Sequence, residues 1–355
     1  MGINELKAIL KKKKLDLALM YNLDSMKASP NILYLSGYNG IGALIIPRKE
    51  KHFVIAPEME VERAKKSKIK VFTMDKKKFF ESINSVIKKN KIKAKKIGLD
   101  DNNFSLNAYK HFKKQFRKTK TKDMSLDFLR LRQIKSNNEI EILKKSCSYA
   151  SNILKKAIKN FKDFRTESEA AAFLEYETKK LGLDIAFNPI VASGKNASMP
   201  HYEPKNTKLK DGFCVIDFGV KYKGYHSDIT RTIYLGKISK KEKEAYALLL
   251  NVQKNTIKNI RINDNCGKIY ENCIKELKQY SEYFIHGLGH GIGTEIHELP
   301  NLSLNSKDKI MRNMAFTIEP GIYIPNKLGI RIEDSILMKN KPIVLTKVTK
   351  DLLIV

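Results

Sequence analysis

No stretch of this 355-residue chain is apolar for long enough to cross a bilayer. The most hydrophobic run, ILYLSGYNGIGALIIP (32–47), is broken by Ser36, Asn39 and three glycines, whereas a spanning helix needs about 20 apolar residues in succession. The opening MGINELKAILKKKK reads as a polar amphipathic helix, not a secretory signal. A soluble, cytoplasmic protein with no membrane partner is expected. Cysteine is scarce as well. Cys147, Cys214, Cys266 and Cys273 form no CxxC pair, and the first two lie in apolar patterns. That excludes a zinc knuckle and a disulfide framework and leaves reduced core thiols. Acids are in short supply: 38 against 68 Lys and Arg, a net charge of +30, with 31 basic residues against 13 acids in residues 1–130. Basic runs such as KKNKIKAKK (88–96) nevertheless lack the interleaved aromatics on which bases stack. They read as solvated lysine faces with weak attraction to polyanions and no specific nucleic-acid partner.

What is present suffices for a buried core: 42% of the residues are hydrophobic. Over residues 1–125, short apolar runs (LALMY, ALIIP, HFVIAP, KVFTM, KIGLD) alternate with amphipathic segments (EMEVERAKK, FFESINSVIKKN, SLNAYKHFKKQF). Strands alternating with helices predict an α/β amino-terminal domain. The polar stretch RKTKTKDMS marks its end, and residues 126–355 form a second domain. There Ser136 with Glu139, Thr166 with Glu169, and Ser239 with Glu242 carry the capping signature of three helices. The strands between and after them predict an α+β domain with antiparallel hairpins.

Two acids stand inside apolar strand patterns in VIDFGVKYKGYHSDITRT (215–232). A turn centred on Tyr222 and Lys223 sets Asp217 opposite Asp228, with Cβ atoms roughly 4.5–5.5 Å apart. Like charges pressed together in apolar surroundings require a proton or a cation between them. The segment has an echo: TIEPGIYI (317–324) repeats the order acid, spacer, glycine, β-branched residue of VIDFGVKY, and Glu333 returns after it as Asp228 does. Two such copies place four acids about a pseudo-twofold axis. Between them lies HGLGHGIGTEIHELP (286–300), with His286, His290 and His297 among four glycines that let the backbone approach closely. Four carboxylates and one imidazole (Asp217, Asp228, His290, Glu319, Glu333) form a hard donor set suited to Mn, Co, Fe or Zn. Their charge nearly balances two divalent cations, which at about 3.5–4 Å separation activate water for hydrolysis. The alternative is salt bridging to Arg231, Arg331 and nearby lysines.

With these motifs the chain resembles the proline-specific metallopeptidases of the pita-bread fold, Xaa-Pro aminopeptidase and prolidase. SPNILYLSGYNG and HFVIAPEMEVERA resemble the creatinase/prolidase amino-terminal domain, and RQIKSNNEIEILKKS resembles the segment that leads into the catalytic domain. The resemblance implies Asp217 on one metal, His290 and Glu319 on the other, and Asp228 and Glu333 bridging two divalent ions, Mn or Co first. It implies that His201 and His297 contact the substrate carbonyl and tetrahedral intermediate. His286 and Arg331 would shape the pocket beyond the scissile bond, with Arg331 also sharing a strand face with Glu333. The expected reaction is attack of a metal-bridging hydroxide on an Xaa-Pro bond, in a dipeptide or at the amino end of a short peptide, with Glu319 shuttling the proton. A homodimer is expected too. Methionine aminopeptidase shares the ligand pattern but usually lacks a separate first domain. A catalytically silent relative that binds protein or nucleic acid, or metal-free creatinase, would lack ligands that this chain retains.

Overall fold

The apolar runs of the first third form a single mixed sheet. The computed structural model describes residues 2–24, 28–74 and 78–355 and divides into two units, Met1–Arg132 and Gln133–Val355. In the first unit the strand order is Lys70–Thr73, Phe53–Ala56, Gly42–Pro47, Leu17–Asn22, Lys96–Leu99, Lys120–Asp123. Leu17–Asn22 pairs antiparallel to Gly42–Pro47 and parallel to Lys96–Leu99. The strand Lys120–Asp123 falls within the polar stretch that reads as a boundary. It carries no apolar face because it is an edge strand, where lysines discourage further pairing. Helix Ser125–Gln133 then lies almost wholly in the first unit, which runs on to Arg132.

The second unit is organised by two four-stranded copies of one motif. In the first, Gly212–Phe218 pairs with Ile229–Leu235, and between them Val220–Tyr222 pairs with Tyr225–His226. In the second, Ala315–Ile318 pairs with Asp334–Met338, and Gly321–Ile324 with Leu328–Arg331. In each copy one acid marks where the outer strand gives way to the inner hairpin (Asp217, Glu319). Another sits immediately before the returning outer strand (Asp228, Glu333). Helices cover the copies from outside. Phe218, Ile229 and Ile233 share a core with Ala150, Ile153 and Leu154 of helix Asn137–Lys159. Phe316, Ile318 and Ile336 share another with Leu249, Val252 and Cys273. Each such Leu, Ile, Val or Phe side chain contributes about 1.5–3 kcal/mol by leaving water. Helices Asn137–Lys159 and Lys240–Asn259 both begin with complete capping boxes, Ser136 with Glu139 and Ser239 with Glu242. All four cysteines are buried and free. Among the described residues no helix is long and apolar enough to cross a membrane.

The register differs from the sequence-based expectation. The hairpin turns at Lys223 and Gly224, both at positive φ (49° and 81°), so Tyr222 faces Tyr225 and Asp217 faces Thr230 instead of Asp228. Two-residue hairpin loops of this kind need φ > 0 at both central positions, which Gly224 supplies freely and Tyr222 would not. Asp228 instead occupies the break between Tyr225–His226 and Ile229–Leu235.

Candidate active site

All nine residues singled out from the sequence line one cleft of about 490 Å³: His201, Asp217, Asp228, His286, His290, His297, Glu319, Arg331 and Glu333. The two motif copies deliver the acids, and the glycine-rich strand Gly289–Gly291 delivers His290 between them. Glycine is required on both sides of it. A Cβ at position 289 would lie 2.0 Å from Thr317 O, and one at 291 would lie 2.1 Å from Leu299 O. Arg331 ends strand Leu328–Arg331, and Glu333 lies beyond it in the break before Asp334, so the two do not share a continuous strand. Both still face the cleft.

His290 Nδ1 lies 3.1 Å from Gly291 O. Placing the proton on Nδ1 leaves the Nε2 lone pair directed at the acids, 3.4 Å from Glu319 Oε1 and 3.6 Å from Asp228 Oδ2. Burial lowers the His290 pKa, which favours that neutral, ligand-competent form. Thr230 Oγ1 donates to Glu333 Oε2 at 2.7 Å, and Arg331 Nη2 donates to Asp217 Oδ2 at 2.6 Å. The remaining oxygens Asp217 Oδ1, Asp228 Oδ1 and Glu333 Oε1 are buried without a hydrogen-bond partner. Burial first, and then neighbouring acids, push the carboxyls of Asp228 and Glu333 well above the ordinary carboxylate range. Burial raises Glu319 to about 7.

Arg331 alone does not neutralise this cluster. The other arginine expected to compete, Arg231, is engaged elsewhere, with Nη2 2.7 Å from Asp334 Oδ1. Unpartnered buried carboxylate oxygens are costly, and a cation among them removes the cost. Asp228, His290 and Glu333 each offer a ligand atom within 4.8 Å of the others. The donor set is oxygen-rich with one imidazole, so the residues present fit a divalent metal.

Around this cluster the His286 and His297 imidazoles are held neutral. Burial lowers His286 and His297 to about 4, and the His297 ring packs edge-on against His290 with centroids 4.2 Å apart. Two features escaped the sequence reading. Tyr323, 2% exposed, accepts from Arg331 Nη1 at 2.7 Å and lies 2.9 Å from His286 Nε2, so its own proton points to that imidazole. Its only sequence signal is a phenol within the otherwise apolar GIYI repeat. Lys135 donates to Glu298, the neighbour of His297, at 2.7 Å, with both side chains 1% exposed. A lysine just ahead of a capping box offers no hint of such a partner. His226, close to the acids in sequence, turns away to pair with Gly293 O.

Known proteins share this organisation. Residues 141–340 match the model of metallopeptidase family M24, and residues 3–134 match the creatinase/prolidase N-terminal domain. The Xaa-Pro dipeptidase of Pyrococcus furiosus is 35% identical over 330 residues, 91% of this chain and 92% of that protein. Among solved structures, an Xaa-Pro dipeptidase from Bacillus anthracis superposes with a TM-score of 0.91 at 31% identity, covering 100% of this chain and 99% of that one. An X-Pro aminopeptidase from Thermotoga maritima gives 0.89 at 29% identity, covering 96% and 98%. The chain thus belongs to metallopeptidase family M24, within its proline-specific pita-bread group of Xaa-Pro aminopeptidases and prolidases, and is a metallopeptidase.

Proposed function

We propose that this enzyme hydrolyses the Xaa-Pro bond, in dipeptides or at the amino end of short peptides, with two divalent ions held by Asp217, Asp228, His290, Glu319 and Glu333. The observation that carries the reading is the convergence of three unpartnered, buried carboxylate oxygens on one cleft. Asp217 would hold one ion, His290 and Glu319 the other, and Asp228 and Glu333 would contribute to both, with Mn or Co the first choice. Bound ions supply a water that ionises near neutral pH and a Lewis acid for the scissile carbonyl.

The chain's own residues do the rest. Glu319, at the end of its strand and facing the cleft, takes the proton from water and passes it to the prolyl nitrogen, the leaving group. His297 and His201 present N–H groups to the oxygen on which negative charge develops, a contribution that grows only as the transition state forms. A prolyl nitrogen has no N–H to recognise, so the ring must be read by shape and apolar contact. Phe187, Pro189, Pro200 and Pro204 line the same cleft and suit that task. His286, tied through Tyr323 to Arg331, borders the pocket for the residue after the scissile bond.

The test is hydrolysis of Ala-Pro beside Ala-Pro-Ala with Mn or Co added. Release of proline, or of the Pro-Ala dipeptide, supports the assignment. Cleavage of Ala-Ala with no action on either proline peptide would overturn it.

A further inference from the structure

The loop that carries His201 is closed by a carboxylate remote from the metal ligands. Glu167 opens helix Glu167–Lys180 and is 0% exposed. Its Oε1 accepts from Ser193 N (2.8 Å), Ser193 Oγ (2.9 Å) and Asn196 Nδ2 (2.9 Å). Its Oε2 accepts from Tyr202 Oη (2.7 Å) and Thr207 Oγ1 (3.0 Å). The Glu167 backbone N–H adds a bond to Thr207 O at 3.2 Å. Among the described residues no lysine or arginine pairs with it. Burial raises the carboxyl, but its hydrogen bonds outweigh that and hold it below the ordinary range. It therefore stays ionised, and charge-assisted bonds of this kind are roughly twice as strong as neutral ones.

The five side-chain contacts come from both arms of the 193–207 loop, whose middle presents Pro200 and His201 to the cleft. At the tip, Pro200 O accepts from Arg331 Nη1 at 3.3 Å. The His201 side chain has no hydrogen-bond partner among the described residues, so its placement depends on the loop. We propose that Glu167 is a positioning residue whose buried carboxylate clamps the two arms of this loop and so sets His201 against the substrate carbonyl. The catalytic half of the statement rests on the hydrolytic reading above; the clamp does not.

The experiment uses the full chain with Mn, comparing Glu167→Ala, Glu167→Gln, His201→Ala and the double variant Glu167→Ala/His201→Ala on Ala-Pro. Glu167→Ala should lower kcat by about 10²-fold, the cost typical of small misplacement, with bound metal unchanged and KM moving far less. Glu167→Gln keeps one acceptor oxygen, and its hydroxyl partners can reorient, so it should recover most of that loss. In the His201→Ala background, adding Glu167→Ala should cost less than about threefold, because residues acting through one another are not additive. The second measurement needs no activity: tryptic nicking of the ion-free chain at Lys195 and Lys205, both exposed on the loop. Glu167→Ala should accelerate it severalfold, and Glu167→Gln less.

Wild-type kcat in Glu167→Ala, or single losses that multiply in the double variant, would overturn the positioning role. Loss of metal would show that Glu167 acts on the ion site instead. If Glu167→Ala does not fold, Glu167→Gln decides on the same criteria, its smaller loss of kcat vanishing in the His201→Ala background. Failure of the unsubstituted chain to cleave any proline peptide overturns the hydrolytic reading. Faster nicking in that case still supports the clamp, and unchanged nicking overturns it.

Discussion

Replacing Glu319 by Gln should stabilise the ion-free protein at about pH 8 and leave it unchanged in acid. Burial, opposed by the Arg331 guanidinium, raises the Glu319 carboxyl from an ordinary 4.5 to about 7. A group whose folded pKa is raised keeps its stabilising contribution below the unfolded pKa and loses it as pH rises through the folded one. The window here runs upward from 4.5 through about 7. At about 1.4 kcal/mol per unit, ionised Glu319 costs the ion-free fold about 3 kcal/mol above that window. Gln has nearly the same shape and cannot ionise, so the cost disappears. Glu319 is also one of the acids that raise Asp228 and Glu333, and a neutral side chain relaxes that repulsion too. For a unit of this size each kcal/mol moves Tm by about 2–4 °C. Ion-free Glu319→Gln should therefore melt about 6–12 °C above the parent near pH 8, and the two curves should converge below about pH 4.5. Mn at a thousand times its Kd should reverse the order, since ligand at that level adds about 4.1 kcal/mol to the form that binds it. Calorimetry on chelator-treated protein at constant ionic strength reads all of this. A variant that melts below the parent at high pH, or a gap that does not change with pH, would refute the reasoning.

On the proposed ligation, in which each would serve two ions, Asp228→Asn and Glu333→Gln should each lose both by elemental analysis; retention of one ion by either would remove its bridging role. His297→Ala should keep both ions and the fold while lowering kcat by about 10²–10³-fold, with KM changing much less; loss of metal would instead make it a ligand. Lys135→Met removes the cation paired with the buried Glu298 carboxylate beside His297, leaving Thr294 and Glu295 as donors to it, and should destabilise the protein by about 3–5 kcal/mol in urea unfolding, most of it recovered by adding Glu298→Gln. A cost below about 1 kcal/mol, the range of an exposed pair, would contradict the burial of that pair.

The cluster of acids in the cleft was legible because its chemistry violates local expectation: acids inside apolar strands, flanked by glycine, repeated once along the chain. The strand partner of Asp217 was not. Tyr222–Lys223 and Lys223–Gly224 are neighbouring choices of turn, and only the left-handed backbone at Lys223 and Gly224 decides between them. The error shifted the register by two, from Asp228 to Thr230. A shift of two returns the same face to the same side, so the inference that both acids look into one cleft survived a wrong pairing. Edge strand Lys120–Asp123 was invisible for the complementary reason: with neither face buried in an apolar core, it has no pattern to read.

The buried charges that brace the walls of the cleft were beyond reach for a different reason. Glu167 binds residues 26 to 40 positions away, Lys135 meets Glu298 across 163, and Arg231 meets Asp334 across 103. Each is only a charge in a plausible helix or strand until folding supplies its partner. The rival reading of the acids, salt bridging, was in fact half right. Arg331 does pair with Asp217, but Asp334 and four backbone carbonyls, Thr230 O, Glu333 O, Val348 O and Thr349 O, take up Arg231. Lys350 is likewise drawn to Asp334. Asp334 thus removes from the cleft the cations that would have neutralised its neighbour Glu333. The same arrangement anchors the strand that follows Glu333 and leaves the cluster electrically short of positive charge. Such a deficit is an unfavourable way to build a core and a suitable way to build a site for cations.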